Sequence, residues 1–237
     1  MNFIIYFILN FRMLNNIRKT FQFASDLHLE KGFQNRFIFP VAPVLILAGD
    51  IGNPFELSYQ KFLTDTSYYF DKVLVLSGNH EYDNTNVSKY DDVEMRIKTV
   101  CSIKDNLIYL QKDTFTHGDI TVAGCTLWSS KPKNKYELHL DHVNWLTNTL
   151  KQNTETNFVV VTHHCPLYEC LLPKYANETP NYFASHQERL LRMDNVKLWI
   201  HGHSHNNNKL FLYNKWIVSN QYGSYEDPLH GYKNLNK

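Results

Sequence analysis

The chain has 237 residues, 24 Lys+Arg against 23 Asp+Glu, a formal net charge of +1, 43% hydrophobic and 14% aromatic residues. This composition excludes a disordered chain, and the length suits one sizeable α/β domain whose core needs no covalent staples. Balanced charge provides no global field for nucleic acid or anionic membrane, and the sparse cysteines Cys101, Cys125, Cys165 and Cys170, with no C-x-x-C pair, exclude a disulfide scaffold and set a cytoplasmic compartment as the expectation.

In chain order, residues 1–17 read as an apolar N-terminal extension. Its run Phe3–Leu9 lacks a preceding Lys or Arg and a following small-residue cleavage site. It also falls far short of the roughly 20 residues that span a bilayer, so no stable membrane insertion is expected. Residues 18–237 are expected to form one domain, because no repeat, low-complexity linker or charge block marks a boundary. Thr20–Ser25, Val44–Ala48, Lys72–Ser77, Asn157–Thr162 and Lys197–His201 are near-continuous apolar runs, the pattern of strands buried on both faces. Helical spacing marks Pro54–Phe70, Val87–Lys104, Leu138–Gln152 and Ser185–Met193. In the third, Leu138, Val143, Leu146 and Leu150 form a stripe with Trp145 beside it, read as core. Asn106–Leu110, Thr114–His117 and Ile120–Cys125 are shorter strands, the last two joined at Gly118-Asp119. Lys209–Tyr213 and Lys215–Ser219 read as a second hairpin around Asn214. Helices outside two packed sheets accommodate both textures.

The polar residues that stand out follow the apolar runs. Asp26-Leu27-His28 follows the first, Gly49-Asp50 the second, Gly78-Asn79-His80-Glu81 the third, His163-His164 the fourth and Gly202-His203-Ser204-His205 the fifth. Ligands of open α/β sheets bind outside the carboxyl ends of the strands, so the five loops are expected to converge. The i, i+2 spacing of Asp26 with His28, and of His203 with His205, would aim both members of each pair to one side of an extended segment. Singly, each fragment is ordinary: Asp-Leu-His is a common cap or turn, and Gly-Asp a common turn. Their succession at five strand ends is what carries information.

Imidazole, carboxylate and amide carbonyl without thiolate suit Mn, Fe or Zn. The candidate ligands Asp26, His28, Asp50, Asn79, His163, His203 and His205 outnumber the roughly three that one open catalytic zinc takes, which predicts two metals sharing a bridging carboxylate. His163 is chosen because it directly follows its strand, while Pro166 could place either His163 or His164 inward. The glycines before Asp50, Asn79 and His203 would permit sharp turns or close approach.

The ordered set D-x-H, G-D, G-N-H-E, H-H and G-H-x-H resembles the calcineurin-like metallophosphoesterase superfamily, from about Phe21 to His205. The resemblance implies the metallophosphoesterase fold, a four-layer-type β-sandwich of two mixed sheets flanked by helices. It implies one divalent metal on Asp26, His28, Asp50 and His205, and a second on Asp50, Asn79, His163 and His203. His80 is implied as proton donor or transition-state stabiliser, and Glu81 is read as its orienter. The function implied is dinuclear hydrolysis of a phosphate monoester or diester by a metal-activated hydroxide. A non-catalytic scaffold of the same fold and a metal-dependent nuclease are the alternatives. For the nuclease, Lys131, Lys133 and Lys135 with Tyr136 form a short basic run, and Lys174, Tyr175 and Tyr182 lie in the 166–183 loop; nucleic acid as a partner is otherwise unsupported. That loop and the 29–42 segment are expected to wall the cleft and set specificity. His117, His139, His142, His186 and His230 have no neighbours that give them a role.

Overall fold

A computed structural model describes residues 14–32, 37–83, 90–173, 180–224 and 227–228. The run Phe3–Leu9, the residues Lys174 and Tyr175, and His230 lie outside the described residues.

Two sheets pack face to face. β1 (Phe21–Ala24), β2 (Val44–Ala48), β3 (Lys72–Leu76) and β4 (Leu107–Tyr109) lie in the order β1-β2-β3-β4, and every pair is parallel. β5 (Asp113–His117), β6 (Ile120–Cys125), β7 (Asn157–Thr162), β8 (Val196–His201), β9 (Lys209–Leu212) and β10 (Lys215–Ser219) make the second sheet, ordered β5-β6-β7-β8-β10-β9. Its four inner strands are parallel and its two edges antiparallel. The mixing expected of both sheets is thus confined to the second. Both of its edges arise from two-residue hairpins: Gly118 has φ 62, and Tyr213 and Asn214 have φ 50 and 62, the positive values that hairpin turns require. A short pair, β11 (Gly223–Ser224) with β12 (Asp227–Pro228), follows.

Period-two alternation sorts each strand between layers. Val44, Ile46 and Ala48 of β2 join Leu74 and Leu76 of β3 in an apolar layer between the sheets, facing Val122, Val159, Val161 and Ile200. Leu45, Leu47, Val73 and Val75 point the other way, onto the helices Leu57–Ser67 and Tyr90–Cys101. The second sheet does the same with Val160, Trp199 and Ile217, which meet Leu146 and Leu150 of the helix Tyr136–Gln152 and Leu190 and Leu191 of the short helix Glu188–Leu191. Helix, sheet, sheet, helix is the four-layer order expected. Residues 14–20 are helical and bring Ile17 into the layer between the sheets.

Two local expectations change. The buried face of the helix Tyr136–Gln152 is His139, His142, Leu146, Thr147 and Leu150, so Val143 sits half-buried beside the stripe. Of Ser185–Met193 only Glu188–Leu191 is helical, because Ala184 bridges Cys165 and the N–H of Ser185 and of Gln187 donate to the carbonyls of Cys165 and Pro166.

Candidate metal centre

Backbone pairing continues past the ends of β1 and β2. The N–H groups of Asp26, His28 and Leu29 donate to the carbonyls of Gly49, Asp50 and Ile51 at 3.0, 3.0 and 2.9 Å, which sets the first two loops side by side. The side chains then converge by left-handed backbone: Asp26, His28, Asp50, His203 and His205 have φ of 55, 49, 52, 69 and 46. This corrects the expectation of extended segments with alternating side chains. Non-glycine residues in that region cost on the order of 1–3 kcal/mol each and persist only where surroundings hold them.

Asp26, His28 and His205 bring ligand atoms within 4.8 Å of one another, and Asp50, His163 and His203 do the same. His28 Nε2 is 3.1 Å from His205 Nε2, and His205 Nε2 is 3.4 Å from Asp26 Oδ1. Asp50 stands between the groups: Oδ1 is 3.2 Å from His163 Nε2, while Oδ2 is 3.9 Å from His28 Nε2 and 4.0 Å from His80 Nε2. Asn79 begins the short helix His80–Asp83, its Nδ2 donating to Asp83 Oδ2 at 3.5 Å. His164 lies one layer back, its ring 4.0 Å from that of His203 and 5.6 Å from that of Trp128, and its Nδ1 is buried without a hydrogen-bond partner.

Close approach explains two glycines. A Cβ on Gly78 would lie 2.2 Å from Asp50 Oδ1, and one on Gly49, whose φ is 89, would lie 2.6 Å from both Gly78 N and His163 Nδ1. No side chain fits at either position.

Electrostatically the loops favour cations. Burial opposes ionisation of Asp50, but His163, His80 and His28 hold its carboxyl well below the usual carboxylate value. Burial likewise opposes His163, and Asp50 raises it to about 9. His203, buried and beside His163, falls to about 3. His80 is opposed by burial yet raised to about 9 by Asp50 and Glu30.

The residues fit divalent metal. His163 Nδ1–H donates to the Ala48 carbonyl at 2.9 Å, which leaves Nε2 facing Asp50. Asn79 Oδ1 is buried with no hydrogen-bond partner, although buried polar atoms are almost always paired, and His163 Nε2 faces only the Asp50 carboxylate, 3.2 Å away. A cation would satisfy the Asn79 Oδ1 lone pair and would displace the proton that His163 Nε2 shares with Asp50.

Three roles differ from the sequence expectation. Glu81 does not orient His80 but accepts the backbone N–H groups of Gly78 at 2.7 Å, Ile51 at 2.7 Å, Asp50 at 3.1 Å and Gly52 at 3.4 Å, clamping the loops after β2 and β3 together. Burial and Asp50 raise it to about 7. The carboxylate beside His80 is Glu30, missed in the sequence although it stands two residues after His28. Lys135 is buried, bonded to Asp83 at 3.1 Å and to the Tyr90 hydroxyl, and lies 4.4 Å from the Trp128 ring centroid, so only Lys131 and Lys133 of the basic run are exposed. His139 and His142 gain a role as well. His142 Nδ1 accepts the Leu127 N–H at 3.1 Å and His139 Nδ1–H donates to the Leu127 carbonyl at 3.0 Å, gripping a loop in which Leu127 and Trp128 have φ 68 and 54. Of the expected cleft walls, the 29–42 segment supplies Glu30, and Tyr182 of the second loop presents its carbonyl 3.4 Å from His203 Nε2.

A two-sheet sandwich whose strand ends gather aspartates, histidines and an asparagine is the construction of metal-dependent phosphoesterases as a class. The chain belongs to the calcineurin-like phosphoesterase family, whose model matches residues 19–207. It is 30% identical over 255 residues to an uncharacterized protein of Acanthamoeba polyphaga mimivirus, covering 85% of this chain and 90% of that one. Its fold is similar to that of the phosphopantetheinyl hydrolase of Mycobacterium tuberculosis, with a TM-score of 0.70 at 17% identity, covering 88% of this chain and 90% of that one. A dimetal phosphatase from Danio rerio is similar in fold at a TM-score of 0.51 and 12% identity, covering 75% and 72%. No helix among the described residues is long and apolar enough to cross a membrane.

Proposed function

We propose that the protein hydrolyses a phosphate monoester or diester at a centre of two divalent cations, Mn, Fe or Zn. The observation that carries this reading is the place of Asp50 between two ligand groups, with one carboxylate oxygen turned to each side. Asp26, His28, Asp50 and His205 would hold one cation, and Asp50, Asn79, His163 and His203 the other. Bound there, such cations supply Lewis-acid neutralisation of phosphate charge and acidify water near neutral pH.

The chain's own residues do the rest. The Ala48 carbonyl accepts His163 Nδ1–H, so Nε2 is already turned inward before any ligand arrives. The His80 N–H of the main chain donates to Asp50 Oδ1 at 2.9 Å, which fixes the bridging carboxylate and the start of the helix His80–Asp83 together. The His80 ring is 28% exposed, and Asp50 and Glu30 raise it to about 9 in the metal-free chain; protonated, it can give a proton to a leaving oxygen. The four free cysteines are all buried, which fits a cytoplasmic setting.

The test is hydrolysis of p-nitrophenyl phosphate and bis(p-nitrophenyl) phosphate by chelator-stripped protein reloaded with Mn²⁺, Fe²⁺ or Zn²⁺. Reloaded protein should bind about two ions per chain and turn over one of the two substrates, and Asp50→Ala should lose at least about 100-fold in rate. One bound ion per chain, or an Asp50→Ala protein that keeps its rate, would overturn the reading.

A further inference from the structure

We propose that Glu30 is the positioning residue of this centre, its one oxygen Oε1 accepting the Nδ1–H of both His28 and His80 and so aiming a metal ligand and the proton donor together. The inference rests on the functional reading above.

Oε1 lies 3.0 Å from His28 Nδ1 and 3.3 Å from His80 Nδ1. The two rings are 4.5 Å apart and crossed at 76°, so a single oxygen at their shared edge reaches both. An ionised carboxylate only accepts hydrogen bonds, which places a proton on each facing Nδ1. Each Nε2 is then turned into the centre, 3.9 Å and 4.0 Å from Asp50 Oδ2 for His28 and His80 respectively. For His28 this is the tautomer whose free Nε2 lone pair can ligate. For His80 the same bond stops the ring from turning its proton away from the cleft.

Glu30 is itself held firmly. It sits in the single 3-10 turn Leu29–Lys31, closed by Lys31 N–H donating to the His28 carbonyl at 3.0 Å and ended by left-handed Gly32. Leu29 is buried and its N–H is tied to the Ile51 carbonyl at 2.9 Å, so the carboxylate is referenced to the same loop that carries Asp50. Its side chain is 9% exposed. The pattern D-x-H-x-E therefore carries a ligand, a second ligand and the group that aims it within five residues of chain.

The experiment compares Glu30→Ala, which removes the acceptor, with Glu30→Gln, whose amide oxygen can still accept both N–H groups. Both are examined as full chain, with near-UV circular dichroism to confirm the fold. Three readouts are taken: Zn²⁺ affinity by competition with a chelating dye, ring tautomers by ¹⁵N-resolved NMR, and kcat on p-nitrophenyl phosphate against an alkyl phosphate. Glu30→Ala should lose about 10–100-fold in Zn²⁺ affinity and the Nδ1–H form of both rings. Its kcat should fall about tenfold further on the alkyl ester, whose poor leaving group needs the proton, than on the aryl ester. Glu30→Gln should recover the tautomers and most of the affinity. Unchanged affinity and tautomers in folded Glu30→Ala, or folded Glu30→Gln as impaired as Glu30→Ala, would overturn the inference. If the wild type turns over no phosphate ester while Glu30→Ala still loses affinity and both tautomers, the functional reading fails and the positioning role stands.

Discussion

His142 shows how much a residue outside the centre contributes to the stability of the fold. Burial and nearby Lys112 depress it to about 3, and its neutral Nδ1 accepts the Leu127 N–H. In the unfolded chain it titrates near 6.5. The folded value lies below the unfolded one, so the stability it provides is full above about pH 6.5 and is lost as pH falls toward 3, at up to about 1.4 kcal/mol per pH unit. Urea denaturation of the metal-free protein between pH 4 and 7 should show this slope, and His142→Gln should reduce it by about one proton. Glu81 is a second such residue. Replacing it with Ala strands several buried N–H groups, each worth about 1–3 kcal/mol, so unfolding free energy should drop by at least about 3 kcal/mol in a urea titration. Glu81→Gln, which keeps an acceptor, should lose less.

At this scale the sequence was legible wherever a chemical group follows an apolar run directly or after one glycine. Asp26 and His163 stand in the first position, and Asp50, Asn79 and His203 in the second, where the strand end still sets the place of the group. Glu30, His139 and His142 were not, since their partners His80 and Leu127 are reached only after the chain has folded back. The left-handed kinks were equally hidden: Asp and His are not glycine, and nothing local announces φ near 50 at His28 or His205.

Among the elements, strands were read more closely than helices. β2 and β7 match their expected bounds, because uninterrupted apolar runs of five and four residues admit few alternatives. The helix Tyr136–Gln152 was placed with its face turned by about one position, since two buried histidines occupy places that polarity assigns to solvent. The edges of the second sheet show why mixing ends there. β5 is exposed at every residue but the half-buried Phe115 and carries Asp113 at its start, a short polar edge that discourages pairing with another chain. The layer between the sheets is where packing should matter most. Ile46→Ala, at a side chain with no exposure, should cost about 2–5 kcal/mol in a urea titration. It should leave Zn²⁺ affinity at the centre within a few-fold, because the residue sits in the apolar layer between the sheets, four positions before Asp50.

For the whole molecule, ligand candidates come from both sheets: the ends of β1, β2 and β3 on one side and of β7 and β8 on the other. Cations bound there would tie the sheets together and stabilise the folded state by about 2.7 kcal/mol at a concentration 100 times the dissociation constant. Melting temperature should therefore rise with added Mn²⁺ or Zn²⁺ and fall again with chelator, a calorimetric measurement that needs no substrate. The overall architecture was legible from the sequence as helices around two packed sheets. The uniformly parallel order of the first sheet was not, because an apolar run says that a strand is buried and not which way its neighbour points.

The contact between His28 and His205 spans 177 positions of chain. No partial fold that lacks either sheet can assemble it, and contacts this distant in sequence carry the loop-closure cost that slows folding. Capture of a cation at the proposed centre during refolding would then mark the moment when the sandwich has closed. A fluorescent zinc indicator mixed with refolding protein would time the completion of the fold from the single event of ion uptake.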